Sequence, residues 1–116
     1  MLASTTYEIT LHFEATHAMP RLPQWHHERD IHGHQYELGF VFTEPAAAVT
    51  GEHEVALQQW ADEQLRGRHL NEIVGERPTA ELFAVWAYEQ WADRLPGLTE
   101  VRVSETRDAS VTYRAA

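Results

Sequence analysis

The most restrictive feature of the sequence is a strict two-residue alternation of apolar and polar side chains over residues 7–17. Successive side chains of a β-strand point to opposite faces, so this pattern predicts a strand with one buried face. The side chains predicted to share that face are Tyr7, Ile9, Leu11, Phe13, Ala15 and His17. A histidine therefore stands at the end of the apolar face, while His12 falls on the polar one.

A second alternating stretch covers residues about 32–43, after a segment at 18–31 that Pro20 and Pro23 mark as a loop. Its predicted buried face consists of His32, His34, Tyr36, Leu38, Phe40 and Phe42. If the two strands pair antiparallel, the end of the first meets the start of the second. The alternation then places His17, His32 and His34 close together on one face.

Three neutral imidazoles with an open fourth position are typical of a catalytic zinc site. The alternative is three strand-end histidines that bond to backbone groups or water. For each histidine taken alone, the second interpretation is favoured. The convergence of His17, His32 and His34 through two independent alternation patterns favours zinc.

Two helices and two strands are predicted in the second half of the chain. The helices cover residues 53–66, ended by Gly67, and about 80–95, with Thr79 as N-cap. The strands cover about 98–105 and 110–114. The resulting ββααββ order predicts an α+β protein with a four-stranded antiparallel sheet and two helices on one face, in a single domain over residues 1–116. Open sheet edges are commonly covered by other subunits, so we expect a homo-oligomer.

Glu105 ends the predicted inward face of the third strand, where a carboxylate without partners is costly. A strand-end salt bridge with Arg102 or Arg107 would account for it.

The net charge of −9 over 116 residues disfavours nucleic acid and anionic membrane surfaces as partners. The chain has no cysteine, which excludes disulfides and thiol catalysis. No apolar run approaches the roughly 18 residues of a membrane span, and residues 1–6 do not resemble a secretory signal. We therefore expect a cytoplasmic protein without a membrane partner.

Five short motifs occur in an order and spacing that resemble the 6-pyruvoyl-tetrahydropterin synthase family, including its 6-carboxy-tetrahydropterin synthase branch. They are Phe13–His17, His32–Tyr36, Leu70–Asn71, Pro78–Glu81 and Ser104–Thr106. The resemblance implies the T-fold (tunnelling fold), whose ββααββ subunits assemble into barrels, here a homohexamer of two trimers. It also implies zinc on His17, His32 and His34, and a pterin ring anchored by Glu105. Thr106 and the region of Thr79 are similar to family residues that line the pterin pocket.

The sequence departs from the family at the residues that move protons. The family's catalytic cysteine lies four residues before the first histidine of the His-Gly-His motif, and Glu28 stands there. The family's Asp-His pair corresponds to Arg66 and Gly67, although His69 lies two residues further on and is a candidate replacement. The usual reaction, elimination of triphosphate from dihydroneopterin triphosphate, therefore lacks its expected residues.

The departures leave three functions open. Glu28 could replace the cysteine as a base in a lyase that cleaves the pterin side chain to 6-hydroxymethyl-dihydropterin for folate synthesis. The chain could instead bind pterins without catalysis. It could also act on another pterin-like or purine-like compound, in tetrahydropterin or deazapurine biosynthesis. In the last two cases Glu28 would be a surface loop residue.

Overall fold

The computed structural model describes residues 5–43, 51–75 and 78–116. In chain order its elements are β1 (Tyr7–His17), β2 (His32–Phe42), α1 (Gly51–Gln64), a 3-10 turn (Leu70–Glu72), α2 (Ala80–Trp91), β3 (Leu98–Thr106) and β4 (Ala109–Arg114). The predicted α+β class and ββααββ order are confirmed. The sequence also predicts that Glu44 and Pro45 end the second strand, but both residues lie outside the described ones.

The four strands form one antiparallel sheet in the order β1-β2-β3-β4. β1 and β2 pair along their whole lengths, so that Tyr7 lies opposite Phe42 and His17 lies opposite His32. This register is the one that the two alternation patterns predict. It brings the histidine ends of both strands to the same end of the sheet.

The core lies between one face of the sheet and the two helices. α1 packs on β1, and α2 packs on β3 and β4. The fully buried side chains of the helices and the sheet include Leu38, Phe40, Leu57, Phe83, Ala87 and Val101. Aromatic side chains join the layers, since the Phe83 ring lies edge-on to Phe13 and Tyr36 at centroid distances of 6.1 and 5.7 Å. Among the described residues, no helix is long and apolar enough to cross a membrane.

The predicted bounds of both helices are shifted or too long. α1 covers Gly51–Gln64 instead of 53–66, and α2 ends at Trp91 instead of about residue 95. The backbone after Trp91 tightens, because both Arg94 N and Leu95 N donate to the Trp91 carbonyl at 2.9 and 3.0 Å. Leu95 is nevertheless buried, so its place in the apolar spacing results from packing against the core and not from a helical backbone.

The exposed edge of β1 is covered near its end by the segment that follows α1. Gly67 N donates to the Glu14 carbonyl at 2.7 Å, and Thr16 N donates to the Arg68 carbonyl at 3.0 Å. Gly67 has a φ of +72°, a backbone conformation that side chains with a Cβ rarely adopt. These bonds hold the last residues of β1, including His17, in place.

Thr79 caps α2 as predicted, because its Oγ1 accepts a hydrogen bond from Leu82 N at 3.2 Å. We expect Thr79→Ala to lower the free energy of unfolding by about 0.5–2 kcal/mol, the usual cost of losing an N-cap hydroxyl. Denaturant unfolding of the two proteins measures the difference. Thr79→Ser keeps the hydroxyl and is the control; equal stability of the Ala and Ser variants would contradict the prediction.

Candidate metal centre

His17, His32 and His34 form a compact cluster at the shared end of β1 and β2. Nε2 of His17 lies 2.8 Å from Nε2 of His32, and the three ring centroids are 4.5 to 4.9 Å apart. The convergence predicted from alternation is therefore found. His12 lies on the other face of the sheet with a side chain that is 72% exposed.

Backbone carbonyls determine which ring nitrogens face the cluster. His17 Nδ1 lies 3.2 Å from the Pro78 carbonyl, and His32 Nδ1 lies 2.8 Å from the Asp30 carbonyl. Because a carbonyl oxygen only accepts hydrogen bonds, each Nδ1 carries the proton and donates. In the neutral form of each ring, Nε2 then has no proton and carries a lone pair. Two lone pairs that face each other at 2.8 Å require a shared proton or a cation.

Burial favours the neutral form, which a metal ion needs, in the rings of His17 and His34. Burial is the largest cause that lowers the pKa of His17 below its usual range, and neighbouring His32 and His34 lower it further. Burial also lowers the pKa of His34, with a second contribution from His32. Nε2 of His34 is buried and has no hydrogen-bond partner among the described residues. A metal cation satisfies all three nitrogens, so the cluster fits one.

Glu28 joins the three histidines, which residue alternation could not predict. One carboxylate oxygen of Glu28 and one nitrogen of each ring all lie within 4.8 Å of one another. The chain reaches this position through a series of turns in the loop between β1 and β2. Three imidazole nitrogens and a carboxylate oxygen are donors that a divalent cation such as zinc accepts.

Glu105 lies beside the cluster at the inward end of β3, as the sequence predicted. Its Oε1 is 3.9 Å from His17 Nδ1, and its Oε2 is 4.0 Å from His34 Nε2. Burial raises the pKa of the Glu105 carboxyl above its usual range, and the charges of Glu28 and Glu81 raise it further. Arg102 does not pair with it, because Arg102 binds Glu8 and Glu37 at 2.7 and 2.6 Å.

Tyr36 supports the cluster from the core, and sequence reasoning missed this role. Its hydroxyl lies 3.2 Å from His17 Nδ1, and burial raises the pKa of Tyr36 well above its usual range. The hydroxyl therefore stays protonated beside His17. The alternation pattern could have indicated this role, because it places Tyr36 on the same strand face as His34, two residues further on.

Of the two predicted threonines, Thr106 lines a small cavity near Glu105, whereas Thr79 does not line it. Thr106 is exposed and lines a cavity of about 250 Å³ together with Glu105, Ala80 and Val111. Thr79 precedes Ala80, and its hydroxyl is engaged in the helix cap. Glu105 and Thr106 also border a larger cleft of about 470 Å³. Space for a ligand thus adjoins Glu105 on two sides.

The positions of the missing Asp-His pair serve structural roles here. Arg66 donates to Asp62, to Glu14 at 2.8 Å and to the His12 carbonyl at 2.8 Å. Gly67 occupies the left-handed turn described above.

His69 does not belong to the cluster within the described chain, since its Nδ1 lies 2.9 Å from the Thr16 hydroxyl. Thr16 points to the face opposite His17.

The fold and the histidine cluster define a small α+β protein with a candidate metal centre at the end of its sheet. The family model for 6-pyruvoyl tetrahydropterin synthase matches residues 6–116, so the chain belongs to that family. The structure of Caenorhabditis elegans 6-pyruvoyl tetrahydropterin synthase superposes with a TM-score of 0.73 at 18% identity, over 99% of this chain and 98% of that one. An uncharacterized protein from Wolinella succinogenes superposes with a TM-score of 0.75 at 16% identity, over 97% and 100%. At these identities the structural neighbours establish the T-fold.

The raised pKa of Glu105 leads to a stability prediction for metal-free protein. A carboxyl whose pKa is higher in the folded state favours folding at low pH and loses that contribution as pH rises through the folded value. At neutral pH its charge therefore opposes folding. We expect Glu105→Gln to raise the thermal midpoint of chelator-treated protein at pH 7, and the gain to shrink as pH falls toward the usual carboxyl value of 4.5.

Calorimetric melting of both proteins from pH 4.5 to 8 measures this gain. A lower midpoint for Glu105→Gln at pH 7 would show instead that the carboxylate makes a net favourable contact. Excess zinc is a useful second condition, since a cation in the cluster would stabilise the wild-type charge.

Proposed function

We propose that this chain binds zinc through His17, His32 and His34 and holds a pterin-like substrate, dihydroneopterin triphosphate or a related compound, with Glu105. The observation that carries the proposal is the orientation of the rings. Two Nδ1 atoms donate to backbone carbonyls, which leaves the Nε2 atoms to converge as lone pairs. Bonds of this kind orient metal-ligating histidines in proteins. Zinc, when bound, would polarise a substrate oxygen or hold a substrate diol.

Glu105 suits the role of ring anchor. Its two carboxylate oxygens can accept parallel hydrogen bonds from a ring N–H and the adjacent amino group of a pterin. The side chain is only 20% exposed, so these bonds would form away from most of the solvent. Its position within 4.0 Å of His34 would place the ring's substituent near the histidines. The cavity of about 250 Å³ that Glu105 and Thr106 line supplies volume beside the anchor.

A second candidate function is supported by the position of Glu28. A carboxylate beside the histidine cluster can act as the base of a lyase that cleaves the pterin side chain. Glu28 would take the proton of a side-chain hydroxyl as the adjacent carbon–carbon bond breaks. The hydroxyl carbon leaves as a carbonyl, and the carbon attached to the pterin ring gains a proton to give 6-hydroxymethyl-dihydropterin. The structural bonds of Arg66 and the turn at Gly67 argue against the usual synthase reaction.

We further propose a homohexamer. β4 is an edge strand, and β1 forms the other edge, which Arg66 and the segment after it cover from His12 onward. Pairing of such edges between copies would build the barrel that the family fold implies. A cytoplasmic location and a single domain over residues 1–116 stay predictions from the sequence.

Titration of the zinc-loaded protein with dihydroneopterin triphosphate, followed by product analysis, tests the proposal. We expect saturable binding, and we expect Glu105→Gln to weaken it by about 1.5–3 kcal/mol, roughly 10- to 150-fold in Kd. Glu89→Gln is the matched control, since it makes the same substitution at an exposed position of α2 that lines neither cavity.

The products separate the candidate functions. Release of 6-hydroxymethyl-dihydropterin supports the lyase, and binding without turnover supports a pterin-binding module. Unchanged affinity in Glu105→Gln would refute the anchor. The absence of any pterin binding by the zinc-loaded protein would refute the proposed ligand class.

A further inference from the structure

We infer that Glu28 is itself a metal ligand in the resting protein, so that the centre has three nitrogen donors and one carboxylate oxygen. The inference rests on the metal part of the proposed function and goes beyond the three-histidine site. In the resting protein Glu28 would occupy the fourth position, which an open catalytic site leaves to water or substrate.

The distances support Glu28 as the fourth donor. Its carboxylate oxygen belongs to the same group of atoms, all within 4.8 Å of one another, as the three histidine nitrogens. Glu105 is also close, at 3.9 Å from Nδ1 of His17 and 4.0 Å from Nε2 of His34, but it does not belong to that group of four.

Hydrogen bonds hold the backbone of Glu28 in this position. Its carbonyl accepts from Met19 N at 3.1 Å, and its N–H donates to His26 Nδ1 at 3.1 Å. Arg29 N donates to the His26 carbonyl at 3.1 Å, which continues the turn toward β2. With both of its backbone groups bonded, Glu28 presents its side chain to the histidines from an ordered loop. The half-buried setting reduces the competition of water for the carboxylate.

Charge gives a further reason for this assignment. Three neutral imidazoles leave the full charge of a divalent cation uncompensated in a partly buried site. One carboxylate ligand removes half of that charge, which lowers the cost of burying the ion. A carboxylate that ligates in the resting state also stays within reach of a substrate oxygen that displaces it. The same residue can therefore be a ligand at rest and a base during the proposed reaction.

Cobalt(II) titration of chelator-treated protein tests the assignment, because the visible spectrum of cobalt changes with the number and type of its ligands. Zinc affinity is measured in parallel by competition with a chromophoric chelator. We expect Glu28→Gln and Glu28→Ala to bind both metals about 10- to 100-fold more weakly than wild type, with an altered cobalt spectrum. Asp30→Asn is the matched control: it removes a charge from an 89% exposed side chain in the same loop and keeps the carbonyl that bonds His32.

Acetate supplies an independent readout. We expect it to change the cobalt spectrum of Glu28→Ala toward that of wild type by occupying the vacated position, and to leave the wild-type spectrum unchanged. If wild-type protein binds cobalt and zinc but both Glu28 variants match it in affinity and spectrum, the ligand assignment is overturned and the three-histidine site stands. If wild-type protein binds neither metal, the proposed zinc site fails and this inference fails with it. Circular dichroism of each variant confirms that losses come from the site and not from unfolding.

Discussion

His32→Ala should abolish stoichiometric zinc binding, with an affinity loss of more than about 100-fold. Even outer partners of metal ligands contribute about 10- to 100-fold, and His32 is predicted to bind the ion directly. His32 is the better choice than His17 for this test, because its side chain is half-buried while His17 is only 2% exposed and packs in the core. Removal of His32 therefore leaves the fold intact. Elemental analysis after reconstitution and dialysis measures the zinc content.

His12→Ala is the matched control for His32→Ala. His12 lies on the other face of the sheet and belongs to β1, the strand that pairs with His32. We expect one zinc per chain in the control and none in His32→Ala. One zinc per chain in both variants would exclude His32 as a ligand.

Glu28→Gln should lower the rate of side-chain cleavage by about 10²- to 10⁴-fold, the usual contribution of a general base. Glutamine keeps the size of the side chain but cannot take a proton. The affinity for dihydroneopterin triphosphate should stay close to that of wild type, because Glu105 anchors the ring. The rate of 6-hydroxymethyl-dihydropterin formation is measured at saturating zinc, so that weaker metal binding does not enter the comparison.

Asp93→Asn removes one negative charge beyond the end of α2, away from the Thr79 end of that helix, and serves as the control. A cleavage rate in Glu28→Gln equal to that of the control would show that another group takes the proton. His69 would then be the next residue to replace, although its Nδ1 contacts the Thr16 hydroxyl in the folded chain.

The strands and the histidine cluster could be predicted because both follow from local periodicity. Alternation of side chains is a property of any extended backbone, so the faces of residues 7–17 and 32–42 needed no tertiary information. Antiparallel pairing then sufficed to bring His17 to His32. The cap at Thr79 was predictable for a related reason, since a hydroxyl at that position bonds a backbone group three residues away.

The ends of the helices were less predictable. Leu95 continues the apolar spacing of α2, yet the backbone leaves the helix after Trp91. The spacing of apolar residues indicates which side chains are buried, but not the backbone conformation that buries them. A turn before Pro96 buries Leu95 as well as a continued helix would. The start of α1 at Gly51 was missed because glycine usually marks a break.

By itself, then, the sequence determined the sheet, its buried face and the meeting of three histidines, because these depend on contacts that repeat every two residues. Only the tertiary structure decided how those histidines are used. The Pro78 and Asp30 carbonyls orient two of the rings, and both carbonyls belong to irregular segments without a repeating pattern. Glu28 reaches the cluster for the same reason, through turns whose hydrogen bonds join residues that no periodicity relates. Arg66 and Gly67 are likewise committed to the sheet edge by partners in β1 that are distant in sequence.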